Sequence, residues 1–234
     1  MSAMDSINQQ IAQARAAAGA ITTTAPQQSS VPSLPTGGRP VSMREMMAEG
    51  VSVKTFLKPD AAGILVGKDT VTTFEEIPVE FRLNEPKPFY GLRYGQTPVV
   101  YKKSYDRLVE SRSKRPWADV VAEAQRMDSR CTGDYRAVDV PFTVLVDLMP
   151  KKGDEPLAKA GDKIGWTSSV TNWAEFEALM RPYFTLIDQG IIDENALIRG
   201  KVVHVQKTKT GVKPWGALEF HDFQLVDESE VAAA

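Results

Sequence analysis

The clearest strand pattern in this chain is an alternation of side chains between residues 138 and 148. Apolar residues occupy every second position, namely Val138, Val140, Phe142, Val144, Val146 and Leu148, and the intervening positions are Asp139, Pro141, Thr143, Leu145 and Asp147. Successive side chains of a β-strand point to opposite faces, so this period of two predicts a strand with one buried face. A strand of this kind needs partners, and the sequence therefore has to supply a sheet.

Other segments supply candidate partner strands. Ile77 to Leu83 alternates in the same way, and Tyr90, Leu92 and Tyr94 share one face of a second strand. We expect residues 99–103 to continue that second strand.

The last segment predicts a hairpin, with strands at 197–207 and 215–226 around a turn at 208–214. If Thr208 pairs with Trp215, Val203 and Val205 share a face with Leu218 and Phe220. The opposite face then carries His204, Gln206, Trp215, Glu219 and His221.

Two helices interrupt the strands. Pro116 occupies an N1-like position before a helical apolar pattern that runs to Met127. A second helix is expected to begin at a Thr171/Asn172 cap and to end at Gly190, with Pro182 kinking or splitting it.

These elements predict a mainly β chain with a few helices, of the α+β class. Three strands, a helix and two strands is the chain order of the OB-fold. We therefore expect an OB-fold-like five-stranded barrel over residues 51–226, with a helical insertion near residues 104–136.

The two ends of the chain differ from this domain. Residues 1–50 predict a flexible, largely disordered arm, because residues 22–40 are rich in Thr, Ser, Gln, Gly and Pro. Within the arm, Asp5 or Ser6 is expected to cap a short helix that ends near Gly19. Residues 227–234 form a short acidic tail.

The composition limits the cellular compartments in which this protein is expected. No segment has the length and hydrophobicity of a transmembrane helix, and the N-terminus lacks a secretory pattern. Cys131 is the only cysteine, which excludes an intrachain disulfide and agrees with a reducing compartment. We expect a soluble, intracellular protein with no membrane partner. Its net charge of −2 argues against coating of nucleic acid by bulk charge.

Enzyme motifs are missing from the sequence. It contains no phosphate-binding loop, dinucleotide fingerprint or nucleophile elbow, and we expect neither catalysis nor a cofactor. Under the predicted hairpin register, a further alternative is a metal-dependent nuclease that uses His204, Glu219, His221 and Asp222.

Aromatic and basic residues, by contrast, are interleaved in two stretches. Eight basic residues lie between Lys87 and Arg115, opposed by Asp106 and Glu110, and five lie between Asn195 and Leu218 with no acid. Cations that follow a phosphate backbone and rings that stack on bases are what single-stranded nucleic acid requires of a protein. The alternative interpretation is solvated lysines and core aromatics. Tyr94 and Trp215 are the best candidates for exposed stacking rings.

The chain also resembles the single-stranded DNA-binding proteins of tailed bacteriophages. The residues that carry the resemblance are 103–106 (KSYD), 116–117 (PW), 139–142 (DVPF), 213–220 (KPWGALEF) and 222–223 (DF). The resemblance implies an OB-fold that coats single strands during phage-type DNA replication and recombination in the host cytoplasm. It also implies replication proteins as partners, although the tail has only three acids.

Our leading hypothesis is therefore binding of single-stranded DNA. The predicted binding residues are Arg93, Tyr94, Lys102, Lys103, Tyr105, Arg112, Lys114, Arg115, Lys201, Lys207, Lys209, Lys213 and Trp215. The runner-up is a viral structural or assembly protein that forms a large homo-oligomer, since a disordered arm on a β-domain suits subunits that bind their neighbours.

Overall fold

The computed structural model describes residues 7–9, 11–13, 51–168 and 170–227. In these ranges the strands are β1 (Thr55–Asp60), β2 (Gly63–Val66), β3 (Glu76–Arg82), β4 (Lys87–Tyr94), β5 (Val100–Ser104), β6 (Tyr135–Val144), β7 (Lys163–Thr167), β8 (Leu197–Lys209) and β9 (Val212–Leu225). The helices are α1 (Trp117–Met127) and α2 (Val170–Asp188), and residues 7–9 and 11–13 are helical too. The prediction of a mainly β chain with few helices is confirmed.

The described residues form two compact units. The first contains residues 51–87 and 138–227 together with the helical residues near the N-terminus, and the second contains residues 88–137. The predicted helical insertion thus lies within the second unit.

The first unit contains a mixed sheet of seven strands in the order β2-β1-β7-β6-β3-β8-β9. β1 and β7 are parallel, and the other neighbours on this path are antiparallel. The path ends at β2 and β9, so the described pairings do not close the sheet, and the predicted OB-like barrel is not confirmed. Three of its strands, β1, β2 and β7, were not predicted, because each has six residues or fewer and too few apolar positions to show a period.

Helix α2 packs against this sheet through an aromatic core. The rings that meet there are Phe81, Phe142, Trp166, Phe176, Phe220 and Phe223, with centroids 5.4–6.4 Å apart. Tyr183 is fully buried and its hydroxyl donates a hydrogen bond to the Phe223 carbonyl at 2.9 Å. A broad apolar stripe on a helix is typical of such packing against a sheet.

Helix α2 begins at Val170 rather than after the predicted cap at residues 171–172. Of the two outcomes expected at Pro182, a split does not occur, because one helix runs from Val170 to Asp188. The Asn172 side chain instead donates to the Leu218 carbonyl at 3.2 Å, a contact that no sequence rule anticipates.

The N-terminal helical residues contact the first unit. Ile11 is 3% exposed in its core, and Asn8 Oδ1 accepts a hydrogen bond from the Leu225 amide at 3.0 Å. The remainder of the predicted arm and most of the predicted tail, residues 228–234, lie outside the described residues.

The second unit is built from the β4–β5 hairpin and α1. Leu92, Tyr94, Trp117, Val120, Ala124 and Cys131 form its buried core. β5 does not continue β4 as predicted but returns antiparallel to it, after a turn in which Gly95 adopts a φ of +78°. That left-handed conformation favours glycine and reverses the chain.

The end of β6 and the start of α1 also differ from the predicted positions. β6 ends at Val144 rather than at 148, and Leu148 forms an isolated bridge with Ala158. Pro116 is the N-cap of α1 rather than its first helical residue. No helix of the described chain combines the length and the apolar character needed to cross a bilayer.

Candidate nucleic-acid interface

The predicted binding residues divide between the two units. Arg93, Tyr94, Lys102, Lys103, Tyr105, Arg112, Lys114 and Arg115 belong to the second unit, and Lys201, Lys207, Lys209, Lys213 and Trp215 belong to the first.

The β4–β5 hairpin sorts its side chains by register. Arg93 lies opposite Tyr101 and Gly91 opposite Lys103, and residues directly opposite in an antiparallel pair project from the same face. This face therefore carries Arg93, Tyr101 and Lys103.

Further rings extend the same face. Phe89 and Tyr105 make an edge contact with centroids 6.1 Å apart, and the Lys103 ammonium lies 4.2 Å from the Phe89 centroid. Phe89 itself is 4% exposed and forms the base of the cluster, while Tyr105 is half-buried. We call Phe89, Arg93, Tyr101, Lys103, Tyr105 and Tyr135 the aromatic face.

Tyr135, the first residue of β6, joins this face over Gly91. A Cβ at Gly91 would lie 2.6 Å from Cζ of Tyr135, so only glycine leaves room for the ring in this position. Burial raises the pKa of Tyr135, nearby Tyr101 adds to the rise, and Arg93 opposes it. Tyr135, Tyr101 and Arg93 are thus close enough to influence one another electrostatically.

Arg93 and Tyr101 are the exposed members of the face. Tyr101 is 63% exposed, and its hydroxyl accepts a hydrogen bond from Arg93 Nε at 3.3 Å. Among the described residues Arg93 has no carboxylate partner, so its remaining N–H groups can reach a ligand. A ring held beside a guanidinium provides a stacking surface and a phosphate contact together.

The other face of the hairpin contains Tyr94 and Lys102. The prediction that Tyr94 is an exposed stacking ring is wrong, because it is 9% exposed and packs with Leu92 and Trp117 in the core. Burial raises its pKa, as expected for a phenol removed from water. Lys102 lies 4.0 Å from the buried Glu110 carboxylate.

Glu110 organises the loop that holds Arg112, Lys114 and Arg115. It is 1% exposed and its carboxylate accepts a hydrogen bond from the Ser113 amide at 2.5 Å. Burial alone would raise the pKa of Glu110, but bonds from Ser113 and from the Arg112 backbone more than offset it, and the pKa is lowered. We call residues 110–115 the basic loop.

The cations of the basic loop are not equally available. Arg115 is paired with Glu123 at 2.6 Å, and Lys114 also has a partner. Arg112 is exposed and has no carboxylate partner in the described part of the chain.

Overall the second unit is basic although the chain is acidic. Residues 88–137 contain ten Lys or Arg and six Asp or Glu, a net charge of +4, whereas the whole chain carries −2. The remaining residues therefore carry −6, so the positive charge of the chain is concentrated in residues 88–137.

In the first unit the predicted residues lie on the β8–β9 hairpin. β8 pairs with β3 only as far as Val203, and residues 204–217 continue as a two-stranded hairpin, which we call the β-arm. Lys207 is paired with Glu219 at 3.3 Å, and Lys201 is paired with Glu76 at 3.0 Å. Lys209 and Lys213 are exposed near the tip, and neither has an ion pair among the described residues.

The register of this hairpin differs by one residue from the prediction. Trp215 pairs with Lys207, and His204 pairs with Leu218, so His204 faces away from Glu219 and His221. His204 Nε2 lies 2.7 Å from the Asp60 carbonyl instead. The shared face on which the nuclease alternative depended does not exist, and no cluster of three or more potential metal ligands occurs among the described residues.

The position of the hairpin turn explains this one-residue difference in register. Thr210 and Gly211 form a two-residue turn with Gly211 at φ +77°, and an irregularity lies between Lys207 and Lys209. Seven residues without apolar alternation allow more than one turn position, so the sequence left the register open. Trp215 is half-buried on the side opposite His204.

Sequence reasoning did not select Tyr101 or Tyr135. The alternation of Tyr101, Lys103 and Tyr105 along one strand contains the signal for Tyr101. Tyr135 is 34 positions further along the chain, and only the tertiary structure brings it over Gly91.

Comparison with known proteins gives no match: no family model matches the sequence, no curated protein matches it, and no solved structure matches the chain.

Proposed function

We propose that this protein binds single-stranded DNA through the aromatic face of its second unit. The observation that carries the proposal is the exposed pair Tyr101 and Arg93, flanked on the same face by Tyr135, Tyr105 and Lys103. Stacking of one base on an aromatic side chain contributes about 1–3 kcal/mol and is available to every base. The face therefore suits binding that tolerates any sequence.

Charge supports the same proposal. Residues 88–137 carry a net charge of +4, and within the described part of the chain neither Arg93 nor Arg112 has a carboxylate partner. Both features favour binding of a phosphate backbone. Lys209 and Lys213 on the β-arm add a second basic surface, in the first unit.

The wider role remains part of the proposal. We infer coating of single strands during phage-type DNA replication or recombination, in the cytoplasm of a host cell, with replication proteins and further copies of the chain as partners. The five strands on which the OB-like assignment rests correspond to β3, β4, β6, β8 and β9, with α2 between the third and the fourth. The OB-like architecture is proposed on that chain order alone.

The first test is fluorescence anisotropy of labelled poly-dT of about 30 nucleotides, titrated with protein at low and high salt against duplex competitor. For Tyr101→Ala we expect affinity to fall by about tenfold or more, since the loss of one stacked base costs about 1–3 kcal/mol. Tyr101→Phe keeps the ring and should retain most of the affinity.

Phe184→Ala is the matched control, because Phe184 is a 50%-exposed ring on α2 in the first unit. Equal affinities for the Tyr101→Ala, Phe184→Ala and unaltered proteins would contradict the aromatic face as the binding site. Failure of the unaltered protein to bind at low salt would overturn the function itself. A large, stable oligomer by light scattering would then favour the structural or assembly role.

A further inference from the structure

A cavity of about 400 Å³ lies in the second unit beside Arg93. The turn after β4 forms one wall, with Gly95, Gln96 and Val99, and the segment after α1 forms the other, with Asp128, Arg130 and Cys131. Its volume is within the range of small-molecule sites, roughly 300–1,000 Å³.

Asp128 fixes both walls. Its Oδ2 accepts hydrogen bonds from the Gly95 amide at 2.9 Å and from Arg130 Nη2 at 2.9 Å. Its Oδ1 accepts from the Arg130 amide at 3.1 Å and from Arg130 Nε at 2.9 Å. The carboxylate is thus fully engaged, and it leaves no acceptor for a ligand.

Gln96 and Arg93 contribute spare hydrogen-bond donors to the cavity. Gln96, with its amide oriented to satisfy both groups, accepts from Arg130 Nη1 and Nη2 at 3.1 Å, which turns its own NH₂ group away from Arg130. Arg93 donates a hydrogen bond to the Tyr101 hydroxyl through Nε, and its Nη1 and Nη2 groups remain available to a ligand. Two arginines and one aspartate give the lining a net charge of +1.

A cavity with spare donors and a positive charge selects a ligand rich in acceptors and negative charge. We propose that it binds a phosphomonoester the size of a mononucleotide, held by Arg93, Gln96 and Arg130. This chemistry can come from a free nucleotide or from the phosphorylated end of a strand. The second source rests on the proposed function, because Arg93 belongs to both the cavity and the aromatic face.

Cys131 provides a direct readout. It is the only cysteine of the chain, it is 8% exposed, and it lines the cavity, so a thiol reagent reports on this site alone. We expect dTMP to slow the labelling of Cys131, inorganic phosphate to slow it less, and thymidine, which lacks the phosphate, to leave it unchanged.

The matched variants are Gln96→Asp and Ser129→Asp. A carboxylate at position 96 would engage Arg130 and repel phosphate, and we expect dTMP to protect Cys131 about tenfold less well, as for the loss of a charge-assisted hydrogen bond. Ser129 is exposed and does not line the cavity, so Ser129→Asp adds the same charge nearby and should leave protection unchanged.

Oligo-dT with a terminal phosphate or a terminal hydroxyl separates the two sources. Protection by dTMP together with tighter binding of phosphorylated oligo-dT, lost in Gln96→Asp, identifies a strand end as ligand. Protection by dTMP alone identifies a free nucleotide, even if poly-dT does not bind and the proposed function fails. Equal labelling with dTMP, phosphate and thymidine would overturn the inference, whether or not poly-dT binds.

Discussion

Asp128 is the residue on which the turn after β4 depends. Hydrogen bonds from the Arg130 side chain, and then from the Arg130 and Gly95 backbone amides, lower its pKa from 3.8 to about 2. A carboxylate whose pKa is lower in the folded state stabilises that state above its ordinary pKa, and this stabilisation is lost as pH falls through the folded value.

We therefore expect the contacts of Asp128 to persist at pH 4 and to be lost as the pH approaches about 2. The Gly95 amide donates to this carboxylate, so its proton chemical shift, followed by NMR during acid titration, should report an apparent pKa near 2. In Asp128→Asn this transition should be absent. A midpoint near 4 in the unaltered protein would show that the Arg130 contact is weak in solution.

Tyr94 and Tyr101 show what a sequence can say about single residues. Both lie in stretches where aromatic and basic residues are mixed, and the composition does not distinguish a core ring from an exposed one. The register between β4 and β5 determines which ring is exposed, because Tyr101 lies opposite Arg93 rather than opposite Tyr94. It turns Tyr94 toward α1 and leaves Tyr101 in solvent.

At the scale of elements, the β-arm depends on a close approach between two backbones. A Cβ at Gly216 would lie 2.1 Å from the Asp60 carbonyl oxygen, which His204 Nε2 also contacts at 2.7 Å. Gln206 Nε2 donates to the neighbouring Ala61 carbonyl at 3.2 Å. One side of the arm is thus attached to the turn between β1 and β2.

We expect Gly216→Ala to lower the free energy of unfolding by about 1–3 kcal/mol, because the atom that must move is backbone rather than a flexible side chain. Urea denaturation measures this change. Thr208→Ala, an exposed position in the same hairpin, is the control and should be nearly neutral. If Gly216→Ala is as stable as Thr208→Ala, the arm is not packed on this turn in solution.

The sequence predicts elements whose apolar pattern extends over many residues, and it does not predict the short ones. β3, β8 and β9 and both helices carry alternation or helical spacing over seven residues or more, and their places in the chain were predicted correctly. β2 has only four residues, all buried, and β1 buries only Leu57. The one-residue slip in the β8–β9 register is a limit of another kind, since the turn sets the register and its sequence allowed two solutions.

For the molecule as a whole, the uneven charge distribution is the property most relevant to binding. If single-stranded DNA binds the second unit, local charge rather than total charge sets the salt dependence. Each phosphate contact contributes about 0.7 to the slope of log K against log salt for single strands.

The double variant Arg93→Gln with Arg112→Gln should therefore reduce this slope by about 1.4. Lys58→Gln with Lys68→Gln changes total charge by the same amount, at exposed positions of the first unit, and should leave the slope nearly unchanged. Anisotropy titrations with poly-dT at several salt concentrations measure both slopes. Equal reductions in the two variants would mean that total charge, rather than the second unit, governs binding.

The helical residues near the N-terminus have a consequence for the edge of the sheet at β9. β9 ends the strand path of the first unit, and an end strand offers open amide groups on which a foreign strand can grow. The Leu225 amide donates a hydrogen bond to Asn8 Oδ1, and Ile11 packs into the core of the same unit. Asn8 and Ile11 thus cover part of this edge, and removal of the N-terminal segment should leave the Leu225 amide open to pairing by a foreign strand.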